Sequence, residues 1–222
     1  MGHKINPKSF RLGIVENWSS RWLNAKSYRE FLEDDDVIRS VATAKLREAG
    51  VDSIRIERSG KTTKVIIKSA KPGFVIGRSG KGIDDLRRDI ERALSKMRKR
   101  RGRETKVPIS LDIEEIKRNE ISATVTAQNI ALDIERRLRF RRVMKQTLQK
   151  IKEFKDVKGA KIRFSGRLDG SEIARSEWLA TGKIPLQTLR SHIDYGEATA
   201  HCAYGAVGIK VWIYKGEIFD RV

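Results

Sequence analysis

Pro72-Gly73-Phe74-Val75-Ile76-Gly77-Arg78-Ser79-Gly80-Lys81-Gly82-Ile83 is the stretch on which the reading of this chain turns. Pro72 suits the first position of a short helix, because the N–H it lacks would be unpaired there anyway. Gly77 and Gly80, three residues apart, make a tight link into a second helix. With no Cβ at either end of the tetrad, a phosphate backbone can approach closely, and N–H groups at the helix start can receive it. Arg78 and Lys81 bring cations to the same spot, and Ser79 completes the loop. Two nucleotide-binding loops are excluded. A Walker loop requires glycine where Val75 stands, and serine or threonine where Gly82 follows Lys81. The dinucleotide fingerprint fails too, because Gly82 is followed by Ile83-Asp84-Asp85 with no third glycine. Asp84 and Asp85 fall in the first turn of the second helix, where carboxylates favour the dipole.

On the N-terminal side, Tyr28, Phe31, Leu32, Ile38, Val41, Ala42, Leu46 and Ala49 recur at helical spacing up to Gly50. The run Asp34-Asp35-Asp36 is expected to divide this segment into two helices. Ile54 and Ile56, then Val65 and Ile67, alternate with polar residues on either side of Ser59-Gly60-Lys61-Thr62, which reads as a hairpin. On the C-terminal side, Ile83, Leu86, Ile90, Ala93, Leu94 and Met97 mark one face of a long helix. It runs into Arg98-Lys99-Arg100-Arg101-Gly102-Arg103, too charged to be core. Val107, Ile109, Leu111 and Ile113 then alternate as a third strand, with Pro108 near its start.

The Gly77–Gly80 tetrad in this setting fits the GxxG loop of KH domains, which clamps about four nucleotides of single-stranded RNA by their backbone. The order helix–strand–strand–helix–loop–helix–strand resembles the prokaryotic, type II, KH arrangement. The fold expected is therefore α/β (α+β), with a boundary near Lys117-Arg118-Asn119. A basic arm and KH domain occupy 1–118 (KH core about 37–117), and an α/β domain with an antiparallel sheet occupies 119–222. In the second half, Asn119 is expected to cap a helical stretch reaching Phe154, broken near Arg139. A strand through Ala160, Ile162 and Phe164 follows, then a helix from Ser171 to Ala180. Strands near Leu189–Tyr195, Ala198–Tyr204 and Val207–Tyr214 close the chain, the last two a hairpin punctuated by Gly205 and Gly208.

Composition agrees with a nucleic-acid partner. The 222 residues carry 48 Lys+Arg against 29 Asp+Glu, a formal +19 that attracts polyanions. Two domains of roughly 100 residues are the natural division at this length. No apolar span or basic amphipathic anchor suggests a membrane, and Met1 to Pro7 has no apolar core of a secretory signal. The lone Cys202 cannot form an internal disulfide and reads as a small buried hydrophobe in a reducing cytosol. His3, His192 and His201 are scattered, and His201 and Cys202 alternate to opposite faces of a strand. Neither a nucleophile elbow, an HExxH motif nor a carboxylate pair stands out, so no enzyme, metal or cofactor is expected.

Further stretches resemble the universal small-subunit ribosomal protein S-three family of bacterial type. They are Arg11-Leu12-Gly13-Ile14; Phe140-Arg141-Arg142-Val143-Met144-Lys145; Ser165-Gly166-Arg167-Leu168; Glu172-Ile173-Ala174-Arg175 with Glu177-Trp178; Ile193-Asp194-Tyr195; Tyr204-Gly205; and Gly208-Ile209-Lys210-Val211-Trp212-Ile213. They span nearly the whole chain in the family's order. The run from Lys96 to Lys106 is longer and more basic than the family's, and the chain ends at Val222 without the polar tail of some relatives.

The resemblance implies a structural constituent of the small-subunit head, cytoplasmic and ribosome-bound. It would bind 16S-type small-subunit rRNA, touch neighbouring head proteins, and guide mRNA where it enters, with no small-molecule substrate. A free-standing KH regulator and a nucleic-acid-processing nuclease are the alternatives.

For RNA binding the loop offers Gly77, Arg78, Ser79, Gly80 and Lys81. For mRNA, Arg141, Arg142 and Lys145 border the helical stripe Phe140, Met144, Leu148 and Ile151, where the alternative is a solvated face. Lys4, Lys8, Arg11, Arg167 and Arg175 are rRNA candidates, the last two weighed against ion pairs with Glu172 or Glu177. Trp178 and Trp212 are expected in the core. Aromatics at 7% favour phosphate and shape contacts over a base-stacking platform.

Overall fold

A computed structural model describes residues 4–24, 27–59, 62–102, 108–117 and 120–219, with every side chain among them except that of Ser79. The tip of the expected hairpin at Gly60-Lys61, the expected cap Asn119, Val107 and the run 103–106 lie outside the described residues. In chain order the elements are α1 (Pro7–Phe10), β1 (Ser20–Arg21), α2 (Tyr28–Lys45), β2 (Val51–Ser59), β3 (Thr62–Ser69), α3 (Pro72–Ile76), α4 (Lys81–Arg100) and β4 (Ile109–Glu115). There follow α5 (Ala123–Glu135), α6 (Phe140–Lys152), β5 (Gly159–Gly166), β6 (Arg175–Gly182), β7 (Ser191–Cys202) and β8 (Gly205–Glu217).

These form two compact units. The first, Ser19–Ile116, holds a sheet of order β1-β2-β3-β4. Strands β2 and β3 pair antiparallel with Ile54 opposite Ile67 and Ile56 opposite Val65, as the alternation requires. Strand β4 pairs parallel to β3, because the crossover through α3 and α4 returns the chain in the same direction. Ile54, Ile56, Val65, Ile67 and Ile109 are buried against Ile38 and Ala42 of α2, Leu46 just after it, and Leu86, Ile90 and Leu94 of α4.

Helix α2 is not divided by its three aspartates. Asp34 and Asp35 are 1% and 3% exposed. Arg58 of β2 donates to both carboxylates, Arg98 of α4 donates to Asp34, and the Trp22 indole N–H donates to Asp35 at 2.9 Å. Carboxylates that break a solvated helix are held here by cations from two other elements, so the helix continues. Arg98, expected beyond the core, is drawn in by the same pairing.

The second unit comprises residues 1–18 with 117–222. The N-terminal arm, grouped with the KH half in the sequence reading, packs here instead. Its anchor is Arg11, 1% exposed, whose guanidinium donates to the carbonyls of Pro7 (3.1 Å), Pro185 (3.3 Å), Leu186 (2.8 Å) and Thr188 (2.9 Å). Lys8 adds an ion pair with Asp194 at 3.0 Å.

The sheet of this unit has order β6-β5-β8-β7, antiparallel throughout. Helices α5 and α6 cover one face, where Ile162, Phe164, Ile209, Val211 and Ile213 meet Ile130, Val143, Met144, Leu148 and Ile151. Helix α5 starts three residues later than an Asn119 cap implies. The Ser122 hydroxyl accepts from Val125 N–H at 3.3 Å, and Asp194 accepts from Ala123 N–H at 2.8 Å.

The expected helix from Ser171 to Ala180 is instead β6. Its residues are almost all exposed, so no apolar period marks it as a strand, and pairing with β5 (Trp178 opposite Arg163) overrides local preference. Likewise the two runs expected between Leu189 and Tyr204 are one strand, β7, turning into β8 through Ala203-Tyr204.

Candidate nucleic-acid interface

Helix α3 begins with Pro72 at its first turn and stops at Gly77, which has φ +68°, while Gly80 has φ +78° and precedes α4. Both angles favour glycine. No side chain caps α4, although the Lys81 N–H already donates to the Arg78 carbonyl. Arg78 and Lys81 are exposed, and neither has an ion-pair partner among the described residues. Gly82, which in the sequence serves only to exclude nucleotide-binding loops, has a structural part here. A Cβ there would lie 2.5 Å from the Val75 carbonyl oxygen and 2.9 Å from that of Ile76. Glycine at 82 is what lets α4 start against the end of α3 and so sets the loop's width.

The second cationic surface is built by α6. Phe140, Val143, Met144, Leu148 and Ile151 bury one face, which fixes Arg141, Arg142 and Lys145 on the exposed side. Cations in the first turn of a helix face the positive end of its dipole, an unfavourable placement. Two carboxylates offset it. Asp169 accepts from Phe140 N–H at 3.3 Å, and Glu177 of β6 receives both Nε and Nη2 of Arg141 at 3.2 Å.

Glu177 also accepts from Arg175 at 3.0 Å, so one carboxylate gathers two guanidinium groups. The Arg141 hydrogen bond, then the pair with Arg175, holds the Glu177 carboxyl below its ordinary range, and Glu177 in turn raises Arg141. Arg142 and Lys145 have no ion-pair partner among the described residues. Arg136, Arg137 and Arg139, in the link between α5 and α6, are likewise exposed and unpaired there. With Arg141 and Arg142 they make five arginines within residues 136–142, a run legible in the sequence.

The rRNA candidates separate. Arg11 is enclosed by carbonyls and has no surface to offer RNA, and burial pushes its guanidinium below its ordinary pKa. Its positive charge is used to gather four carbonyl oxygens, which a sequence motif cannot distinguish from phosphate binding. Lys8 is paired with Asp194, Arg175 with Glu177, and Arg167 donates to the carbonyls of Ser171 and Tyr204 at 2.8 and 3.3 Å. Lys4 remains exposed. Trp178, expected in the core, is 59% exposed on the open face of the sheet. Among the described residues no group of three or more His, Cys, Asp or Glu is placed to hold a metal, and no helix is long and apolar enough to cross a membrane.

A KH arrangement with an uncapped, glycine-bounded and cationic loop defines this chain as an RNA-binding protein. Residues 37–121 match the KH domain family, and residues 130–213 match "Ribosomal protein S3, C-terminal domain". The small ribosomal subunit protein uS3 of Caldicellulosiruptor saccharolyticus is 49% identical over 222 residues, covering 100% of this chain and 95% of the relative. That of Oleidesulfovibrio alaskensis is 46% identical over 221 residues, covering 100% and 98%. That of Alkalilimnicola ehrlichii is 44% identical over 221 residues, covering 99% and 92%. The chain belongs to the uS3 family of small ribosomal subunit proteins, a family of ribosomal constituents rather than enzymes.

Proposed function

We propose that this constituent of the small ribosomal subunit binds small-subunit rRNA in the head. We propose also that it contacts neighbouring head proteins and guides mRNA at the channel where the message enters, working in the cytoplasm on the ribosome. In this reading Gly77 to Lys81 clamp an RNA backbone, the glycines admitting it and Arg78 and Lys81 neutralising it. Arg141, Arg142 and Lys145 hold single-stranded mRNA by its phosphates, and the neighbouring arginines 136, 137 and 139 extend that surface. Lys4 and the paired cations Lys8, Arg167 and Arg175 are secondary rRNA candidates.

The observation that carries the mRNA role is the exposed cationic side of α6, whose opposite side is locked in the core. Such a surface is presented in one orientation on a backbone already ordered, so that binding orders side chains alone. A duplex ahead of the channel opens only if a separated strand is held, and a fixed row of cations supplies that hold without sequence preference.

The test replaces Arg141, Arg142 and Lys145 with Ala. None belongs to the apolar stripe, so incorporation into the small subunit is expected to be normal. Translation through a stable hairpin, taken as a ratio to an unstructured message on the same ribosomes, is expected to fall. Normal incorporation with an unchanged ratio means that this helix does not guide mRNA.

A further inference from the structure

The sheet of the second unit is covered by helices on one face only, and its other face carries a row of side chains with no assigned role. Lys161 on β5, Trp212 on β8 and Tyr195 on β7 lie in cross-strand register, and Trp178 on β6 is diagonal to Lys161. Lys161 is opposite Trp212, and Trp212 opposite Tyr195. The Lys161 ammonium sits 4.3 Å from the centroid of the Trp178 ring and 5.8 Å from that of Trp212. The Trp212 and Tyr195 rings are 5.5 Å apart and tilted by 45°. Beside this row runs a second, in which Arg163 lies between Trp178 and Lys210.

Cations outnumber carboxylates on this face, where Glu197 is the carboxylate among the groove's described lining residues. Among the described residues none of Lys4, Lys161, Arg163 and Lys210 forms an ion pair with a carboxylate. Glu197, opposite Lys210, is instead engaged by the Tyr195 hydroxyl at 2.8 Å. Burial first, and then the like charges of Lys4 and Arg163, lower the Lys161 pKa from its ordinary value. Clustered cations in excess of their carboxylates cost a folded protein free energy through mutual repulsion, and a bound polyanion lowers that cost. The arm and the loop 184–188 rise along one side of the face. They enclose a groove of about 1100 Å³ whose lining includes Lys4, Phe10, Lys161, Arg163, Lys210 and Trp212.

From this juxtaposition we infer that the open face of the second sheet is a further RNA-binding site, taking an unpaired RNA segment. Its bases stack on the exposed indole of Trp178 and along the Trp212 edge, and its phosphates lie over Lys161, Arg163, Lys210 and Lys4. Charge complementarity selects the polyanion, and the exposed indole of Trp178 among the cations selects an unstacked strand over a duplex, whose bases are already occupied with one another. The site is separate from the GxxG loop and from α6.

The test uses the full chain carrying Arg78→Asp and Ser79→Asp. Loss of the loop's contribution is then common to all samples, and a failure of the loop reading leaves the comparison intact. In that background, binding of a 12-nucleotide unstructured RNA and of a duplex of equal length is followed by fluorescence anisotropy. Trp178→Ala leaves net charge unchanged, and the loss of one stacked base is expected to weaken single-strand binding roughly tenfold while leaving duplex binding unaltered. Trp178→Phe keeps a stacking face and is expected to stay within about threefold of the parent. If Trp178→Ala unfolds the unit, Lys161→Gln serves in its place, and the same preferential loss for the single strand is expected. The inference is overturned if the folded variants bind the single strand like the parent, or if Ala and Phe at 178 lose equally. It is also overturned if RNA binding survives while co-assembly with other small-subunit proteins is lost, since the face is then a protein interface.

Discussion

Arg11→Met keeps most of the side chain's aliphatic volume and removes its donors. Four carbonyl oxygens, those of Pro7, Pro185, Leu186 and Thr188, lose their shared cation. A buried acceptor left without a donor costs ~1–3 kcal/mol. The site is only partly closed around three of these carbonyls, so water recovers some of that loss, and a total of about 3 kcal/mol is the working figure. With a urea m-value of about 2 kcal/mol/M, the midpoint of the second unit should fall by about 1.5 M. The arm should also become sensitive to protease before the unit unfolds. Urea titration of the full chain by circular dichroism gives the first number, and timed proteolysis the second.

The salt dependence of RNA binding is the decisive companion measurement. A residue that neutralises one phosphate contributes about one unit to the slope of log affinity against log salt. For Arg11→Met that slope should not change, because the guanidinium faces carbonyls. A midpoint within about 0.3 M of the parent together with a slope reduced by about one unit would refute the clamp and return Arg11 to the RNA contacts.

Three further outcomes are expected. Replacing Arg78 and Ser79 with Asp-Asp should weaken RNA binding by at least about tenfold at low salt, with unchanged thermal unfolding, because both loop glycines remain; gel shifts and calorimetry read the two. Gly82→Ala should destabilise the first unit by about 2 kcal/mol or more, since the added Cβ meets the carbonyl oxygens of Val75 and Ile76; its urea midpoint tests this, and an unchanged midpoint would mean the helices separate without cost.

The third concerns acid. Burial alone would raise the Asp194 carboxyl, but Lys8, the Ala123 N–H and Lys215 together outweigh it and hold the folded pKa below its ordinary value. Such a depressed carboxyl stabilises the fold above its unfolded pKa of about 4, and that contribution is lost as pH falls through the folded value. Unfolding free energies between pH 5 and about pH 2 should therefore decline less steeply for Asp194→Asn than for the parent. Equal slopes would remove Asp194 from the acid sensitivity.

The first unit was legible in outline because its signals are local. Alternation in Ile54–Ile56 and Val65–Ile67, the helical period ending at Met97, and Pro72 ahead of the two glycines each depend only on near neighbours in the chain. The residues that misled, in both units, depend on partners far away in the chain. Asp34 and Asp35 look like a helix breaker until Arg58 and Arg98 are placed beside them. The segment Arg175–Gly182 has no apolar face of its own and becomes a strand only by pairing with β5. Arg11, one of 48 basic residues, is distinguished from a phosphate contact only by the four carbonyls that fold around it.

The sequence by itself determined the positive field, through a charge of +19, and the tight loop between α3 and α4, through two glycines and a proline. Charge and backbone freedom are properties of residues and survive without a fold. Tertiary structure alone decided which cations are spent within the protein and which remain outward. It also decided that Trp178 lies on an open sheet face rather than in a core, because pairing across strands and burial are properties of residues only once their distant neighbours are in place.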